Sequence, residues 1–328
     1  VLVFVMKRLY KNLVLMSLAL LVVVLSSCSG SDYLNAIPKK STALISVDLQ
    51  QMASDKNAED KAGMLKSLLH VDDVDKCGID ISEKLYLFES ADGNLGLCAK
   101  VSDEGDVEDW LASLAKKRIA SEVKERKGFH FAVLKDSWLV GFSGEALLVM
   151  GPVVADAQAQ LQQQMVKYLK AEEEDGITVS PMYERLQTFS SPMAMVAQAQ
   201  ALPEKFVAPF TLGAPKDTDP SQVVIAADMK VKDGILQIQG ETFSFNETID
   251  KALQKAAQNY RPIKGSYVKS MPDDALAGIF MNVNGEQFLP MMQSNRSLQT
   301  LLMGINQAVD MDNIMRSVDG DMAIVLPT

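Results

Sequence analysis

The first pattern along the chain is an apolar run. Leu13–Leu25 is broken only by Ser17 and follows the cationic Lys7, Arg8 and Lys11. Thirteen helical residues reach about 20 Å, short of a hydrocarbon core of roughly 30 Å. The run therefore predicts a secretory signal over residues 1–27 rather than a membrane span. Met6-Lys7-Arg8 is an ordinary signal opening, so residues 1–5 read as an over-extended start.

From Thr42 the apolar spacing changes repeatedly. Thr42–Leu49 (TALISVDL) is rich in β-branched residues and predicts a strand. Asn57–His70 places Met64, Leu65, Leu68 and Leu69 at helical spacing. Lys84–Ser90 and Leu95–Val101 flank Ala91-Asp92-Gly93-Asn94, a hairpin signal. Asp106–Ile119 sets Val107, Trp110, Leu111 and Leu114 on one helical face, and four strand-like runs follow over residues 121–126, 129–135, 137–143 and 145–150. Ala155–Glu174 is predicted as a helix with Leu161 and Met165 in its stripe, with a shorter one at 181–189. Strands recur at 193–200, 221–231 and 234–245 before a helix at 247–259. This order is not a βαβ alternation. It predicts an α+β fold, a largely antiparallel sheet with helices gathered on one side.

A shift of 234 positions then brings Tyr33, Pro38, Ala43 and Ile45 onto Tyr267, Pro272, Ala277 and Ile279. Ile37, Val47, Asp48 and Leu49 fall on Met271, Met281, Asn282 and Val283, and Met64 and Leu68 on Leu298 and Leu302. With slippage, the stretch Gly78–Phe88 matches Ser317–Leu326. The expected organisation is a signal peptide (1–27), a tether and extended approach (28–41), a first α+β unit (42–262) and an incomplete second copy (263–328). Each copy is expected to begin with an extended stretch containing proline, then a strand and a helix. The second copy reaches Thr328 after the equivalent of its second strand, so either the product is truncated or these last residues pack differently.

Charge narrows the partners. Removing residues 1–27 takes three of 32 basic residues and none of 42 acidic ones, which leaves a net charge of -13. With that acidic excess and no basic stripe, nucleic acid is not an expected partner. Two histidines cannot form a multi-histidine zinc site, and three cysteines are too few for a disulfide scaffold. No cofactor motif is present: Gly-x-Gly-x-x-Gly and phosphate loops are missing.

Leu25-Ser26-Ser27-Cys28 resembles the bacterial lipobox, in which cleavage precedes the cysteine and acyl chains are attached to it. Cys28 is thus the expected lipidation site, and the acyl chains the expected membrane contact, since an anionic body gains nothing from an anionic surface. The lipobox, the opening Tyr33-x-x-x-Ile37-Pro38 and the strand Ala43-x-Ile45-x-Val47-Asp48 together resemble a Bacteroides-type envelope lipoprotein family known only as a domain of unknown function. That resemblance implies a repeated α+β envelope lipoprotein of a Gram-negative bacterium and no particular activity. Surface export in such lipoproteins follows an acidic stretch after the cysteine. Only Asp32 stands there, which favours the periplasmic face of the outer membrane over the cell surface.

Catalytic signals are weak. Gly141-Phe142-Ser143-Gly144-Glu145 lacks the second glycine of a nucleophile elbow and lies between strands. Ser113-x-x-Lys116 and Ser121-x-x-Lys124 have serine–lysine spacing without further partners. Asp73–Gly78 imitates a calcium loop, but Lys84 occupies the twelfth place. Asp217, Asp219, Asp319 and Asp321 read as turn acids, and Glu172–Asp175 as a solvated helix end. His70 and His130 are candidate general bases by residue type but have no nucleophile beside them in sequence. Trp110 and Trp138 read as core aromatics, and Met193, Met195, Met291 and Met292 as gap-fillers. Cys77 and Cys98 either form a bridge across the first hairpin or remain two buried thiols. The expected role is non-catalytic binding or assembly in the envelope with an unknown protein or glycan. An extracytoplasmic hydrolase using paired carboxylates and a structural or adhesive component are the alternatives.

Overall fold

A computed structural model describes residues 30–53, 73–203, 210–232, 235–265 and 275–327, with residues 63, 66, 207, 208 and 267. The strands are β1 (Ala43–Val47), β2 (Leu85–Glu89), β3 (Leu95–Lys100), β4 (Lys124–Arg126), β5 (Phe129–Leu134), β6 (Trp138–Phe142), β7 (Ala146–Gly151), β8 (Met193–Gln198), β9 (Val224–Lys232), β10 (Ile235–Phe243), β11 (Ala275–Asn284) and β12 (Asp319–Pro327). The helices are α1 (Leu49–Ala53), α2 (Glu104–Lys116), α3 (Gln158–Leu169), α4 (Pro181–Leu186), α5 (Glu247–Ala257), α6 (Gly285–Ser294), α7 (Arg296–Asn306) and α8 (Met311–Ser317). The fold is α+β. Ten strands form one antiparallel sheet in the order β10-β9-β8-β1-β2-β3-β7-β6-β5-β4, and β11 and β12 form a second, two-stranded sheet. No helix among the described residues is long and apolar enough to cross a membrane.

By compactness the chain divides into two units. Among the described residues, one holds residues 30–40, Leu49–Tyr86 and Asn94–Ser180; the other holds Ser41–Asp48, Leu87–Gly93 and Pro181 onward. This division follows contacts rather than chain order, so it crosses the boundary expected at 262/263.

In the first unit β5, β6 and β7 are successive hairpins. The β4–β5 turn places Lys127 and Gly128, and the β5–β6 turn Lys135 and Asp136, at positive φ. That geometry matches the twist of the flanking strands. Val107, Trp110, Leu111 and Leu114 of α2 pack with Ala132, Val140, Phe142 and Leu147. The other face is covered by α3 and by the Asp32–Ala36 turn. There Gly141 leaves space that a Cβ would take from the Phe131 ring (2.6 Å) and Met165 Cε (3.1 Å). Cys98 Sγ donates to the Tyr33 carbonyl at 3.4 Å on that same face.

Helices therefore lie on both faces here, whereas the sequence reading gathered them on one side. The physical reason is visible in β6 and β7, where nearly every position is buried. Side chains alternate between faces, so a strand apolar at consecutive positions needs cover on both. The approach to β1 also differs from expectation. Asp32–Ala36 is a 3-10 turn with Tyr33, Leu34 and Ala36 buried, because this segment is core rather than tether.

In the second unit β9 and β10 pair along their full length, and α5 buries Ile249 and Leu253 near Ala199 and Val223. β11 runs directly into α6, as β1 runs into α1. Val283, Phe288, Leu289, Leu302 and Met315 form a small core, ringed by Met281, Met291, Met292, Met311 and Met322. The expected helix over 57–70 and Pro272 lie outside the described residues, apart from Gly63 and Lys66, which are helical.

Candidate functional site

One site-like feature of the first unit is an apolar cavity of about 390 Å³ beneath α2. Its floor crosses five neighbouring strands: Leu85 of β2, Leu97 and Ala99 of β3, Leu147 and Val149 of β7, Trp138 of β6 and Leu134 of β5. The registers Leu97↔Val149, Ala99↔Leu147 and Leu134↔Trp138 put these side chains on one face. Trp110 and Leu114 of α2 form the roof, with Ile119 just beyond the helix end. Leu49, Ile79 and Ile81 complete the wall.

Local sequence explains how the walls are held. Asp103 caps α2 by accepting from Asp106 N–H at 2.9 Å, and acidic residues in the first helical turn suit the macrodipole. His130 Nδ1 lies 3.1 Å from Glu104 Oε1, and its ring stacks on Phe142 at 5.2 Å. This pair ties the start of α2 to β5. The Ile79–Ile81 wall is tied to β3 by Asp80 N–H donating to the Lys100 carbonyl at 2.9 Å. Lys100 Nζ lies 3.2 Å from Asp80 Oδ2 and 3.5 Å from Glu83 Oε1. The Ser82 hydroxyl and the Lys100 ammonium hold the Asp80 carboxyl below its ordinary range, against partial burial. Asp80 and, less strongly, Glu83 push Lys100 up, against its own burial.

Thirteen of the fourteen described lining residues are apolar, and the exception is Lys135 in the β5–β6 turn. No carboxylate, hydroxyl or imidazole lines the cavity among the described residues. The arrangement can hold an apolar molecule and supplies no acid–base pair. A second, polar cleft of about 670 Å³ lies in the second unit between the 207–220 segment and the α6–α7 junction.

The sequence candidates separate in the structure. Trp110 and Trp138 meet at the cavity. Gly141–Glu145 closes the β6–β7 hairpin, where Ser143 N–H donates to the Ala146 carbonyl at 3.0 Å. Ser113 Oγ donates to the Trp110 carbonyl at 2.7 Å, and Ser121 Oγ accepts from Val133 N–H at 2.9 Å. Both hydroxyls serve the backbone. The calcium-like stretch holds a 3-10 turn over Val74–Lys76. Among the described residues no group of three or more His, Cys, Asp or Glu is placed to hold a metal ion. Asp319 pairs with Arg261 at 2.8 Å, Asp321 accepts from Asn282 Nδ2 at 2.7 Å, and Asp219 accepts from Ser221 N–H at 2.9 Å. Asp175 meets Lys39 at 3.5 Å.

The bridge considered for Cys77 and Cys98 is not formed: both are buried thiols outside any disulfide. Cys77 belongs to the core under α2, where its Sγ donates to the Val74 carbonyl at 2.9 Å. Cys98 points away from its neighbours Leu97 and Ala99, to the opposite face of β3, so the sheet lies between the two. Burial pushes its thiol pKa up. Cys28 and His70 lie outside the described residues. Sequence reasoning missed Ile79, Ile81, Leu97 and Lys135. The available signal was alternate apolar positions in β2, β3 and β7, but these strands are apolar on both faces, which hides which face is lined.

These features define an α+β protein with an apolar cavity in one of its two units. The chain belongs to the family described as a domain of unknown function, DUF4836, which matches residues 33–327. No curated protein matches it. A solved structure described as "Structure of crystal form III of TP0453" is 13% identical, with a TM-score of 0.34, and the likeness covers 68% of this chain and 96% of that chain. That likeness is too slight to carry an argument.

Proposed function

We propose that this protein is a lipid-anchored envelope protein of a Bacteroides-type Gram-negative bacterium, held at the periplasmic face of the outer membrane through Cys28, with a non-catalytic role in binding an apolar ligand. The observation that carries the binding role is the cavity beneath α2, lined almost wholly by aliphatic and indole side chains. Small-molecule sites are concave, mostly apolar and of this order of volume. A hydrolase of the paired-carboxylate kind needs its two carboxylates where the substrate sits, and none lines this cavity among the described residues. The anchor rests on the lipobox-like Leu25–Cys28 segment, and the duplicated organisation on the strand–helix pairs β1–α1 and β11–α6.

The binding role is tested with an environment-sensitive apolar dye titrated onto the full-length protein in nanodiscs, beside Ala99→Leu. Ala99 is fully buried on the cavity floor, so a leucine there fills part of the space. The expected result is a saturable component present in the wild type and lost in the variant. Equal titrations would overturn the binding role. The anchor is tested by labelling cells with an alkyne fatty acid: label lost in Cys28→Ser is expected, and label retained refutes it.

A further inference from the structure

We infer that the cavity takes a single-chain, long-chain carboxylate, with its hydrocarbon under α2 and its head at Lys135; this rests on the binding role proposed above. Two observations specify the class. The first is shape. The floor runs from Leu85 on β2 to Leu134 on β5, which are four strand spacings apart, or about 19 Å at 4.8 Å per spacing. A volume of about 390 Å³ drawn out over that span is a channel for one chain rather than a chamber for a ring system.

The second observation is charge. Lys135 stands at the β5 end of this channel and is solvent-exposed. Its ammonium group forms no ion pair with any described carboxylate. Its backbone is fixed: φ is 46° and its N–H donates to the Ile119 carbonyl at 2.9 Å, which keeps the residue at the cavity rim. Asp136 lies next to it in the turn but does not line the cavity. A cation that pairs with no described carboxylate, at one end of a channel whose other described lining residues are apolar, complements an amphiphile with an anionic head. One lysine balances a single negative charge, as a carboxylate carries, whereas a phosphomonoester head carries up to about two, and bidentate recognition of phosphate favours the planar fork of an arginine. No arginine lines the cavity among the described residues.

The test uses isolated membranes bearing the full-length protein, without ATP or coenzyme A, so that no acyl transfer intervenes. Two probes with a diazirine in a sixteen-carbon chain are compared, one ending in a carboxylate and one in an alcohol. After irradiation, adducts are located by peptide mass spectrometry. The carboxylate is expected to mark peptides containing Leu97, Trp110 or Trp138 and to exceed the alcohol there. Lys135→Glu should lower the carboxylate adduct about fivefold, the scale of one solvent-exposed ion pair, and leave the alcohol adduct unchanged. Lys135 is exposed in a turn, so this variant folds, and Lys135→Arg should retain the preference. Equal marking of the cavity by both probes, unaffected by Lys135→Glu, would overturn the carboxylate assignment while leaving an apolar site. Absence of cavity adducts from either probe would overturn the binding role itself.

Discussion

Gly78→Ala should unfold the roof of the cavity more readily than any turn preference alone explains. Gly78 has φ +71°, and a Cβ there would stand 2.3 Å from the Asp103 carbonyl oxygen, 2.5 Å from Val107 N and 2.6 Å from Val107 Cγ2. The Gly78 carbonyl also accepts from Ser102 N–H at 2.8 Å and from Asp103 N–H at 3.3 Å. The start of α2 thus rests directly on this glycine. Left-handed backbone costs alanine about 1 kcal/mol relative to glycine. Forcing a methyl group into a filled site costs about 1–3 kcal/mol more. The expected loss is therefore about 2–4 kcal/mol. Gly128→Ala is the matched control: its φ is +81°, but nothing lies within 4 Å of the added Cβ, so only the conformational cost of about 1 kcal/mol applies. Urea unfolding of both full-length variants, followed by the emission of Trp110 and Trp138, measures the difference. Because α2 carries Trp110 and Leu114 over the cavity, Gly78→Ala should also weaken apolar dye binding. Equal stability losses at the two glycines would refute the close approach of α2 to Gly78.

Removing the α2 cap with Asp103→Ala should cost about 1 kcal/mol, measured by the same unfolding curves, while Asp103→Asn should recover most of it. Cys77 and Cys98 should both be alkylated without prior reduction, but only after unfolding; mass spectrometry of the native protein showing a bridged pair would contradict their placement on opposite faces. Burial raises the Cys98 pKa above its ordinary 9.0, so the folded thiol keeps its proton where the unfolded one releases it. Stability should then decline as pH rises above about 9, and Cys98→Ala should flatten that decline in unfolding titrations at pH 8 to 10.

The periodic segments were legible in the sequence because their signals are local. Val107, Trp110, Leu111 and Leu114 recur at helical spacing, and they are the buried face of α2. Ala91–Asn94 reads as a hairpin tip, and Gly93 takes φ +78° between β2 and β3. The antiparallel α+β class follows from the order of such segments. What the chain alone left open was which apolar side chains meet. β6 and β7 are apolar at consecutive positions, so neither strand shows in sequence which residues face α2 and which face α3. Only the pairing of β3 with β7 and β7 with β6 sorts Leu97, Ala99, Leu147 and Val149 onto the cavity side and Cys98 onto the other. Lys135 shows the same limit. In sequence it is a turn lysine like several others, and its place at the end of an apolar channel depends on Ile119, Leu134 and Trp138 being folded around it. Local spacing fixes an element because neighbours along the chain share one backbone. A cavity is made by residues far apart in sequence, and its walls exist only once the strands have paired.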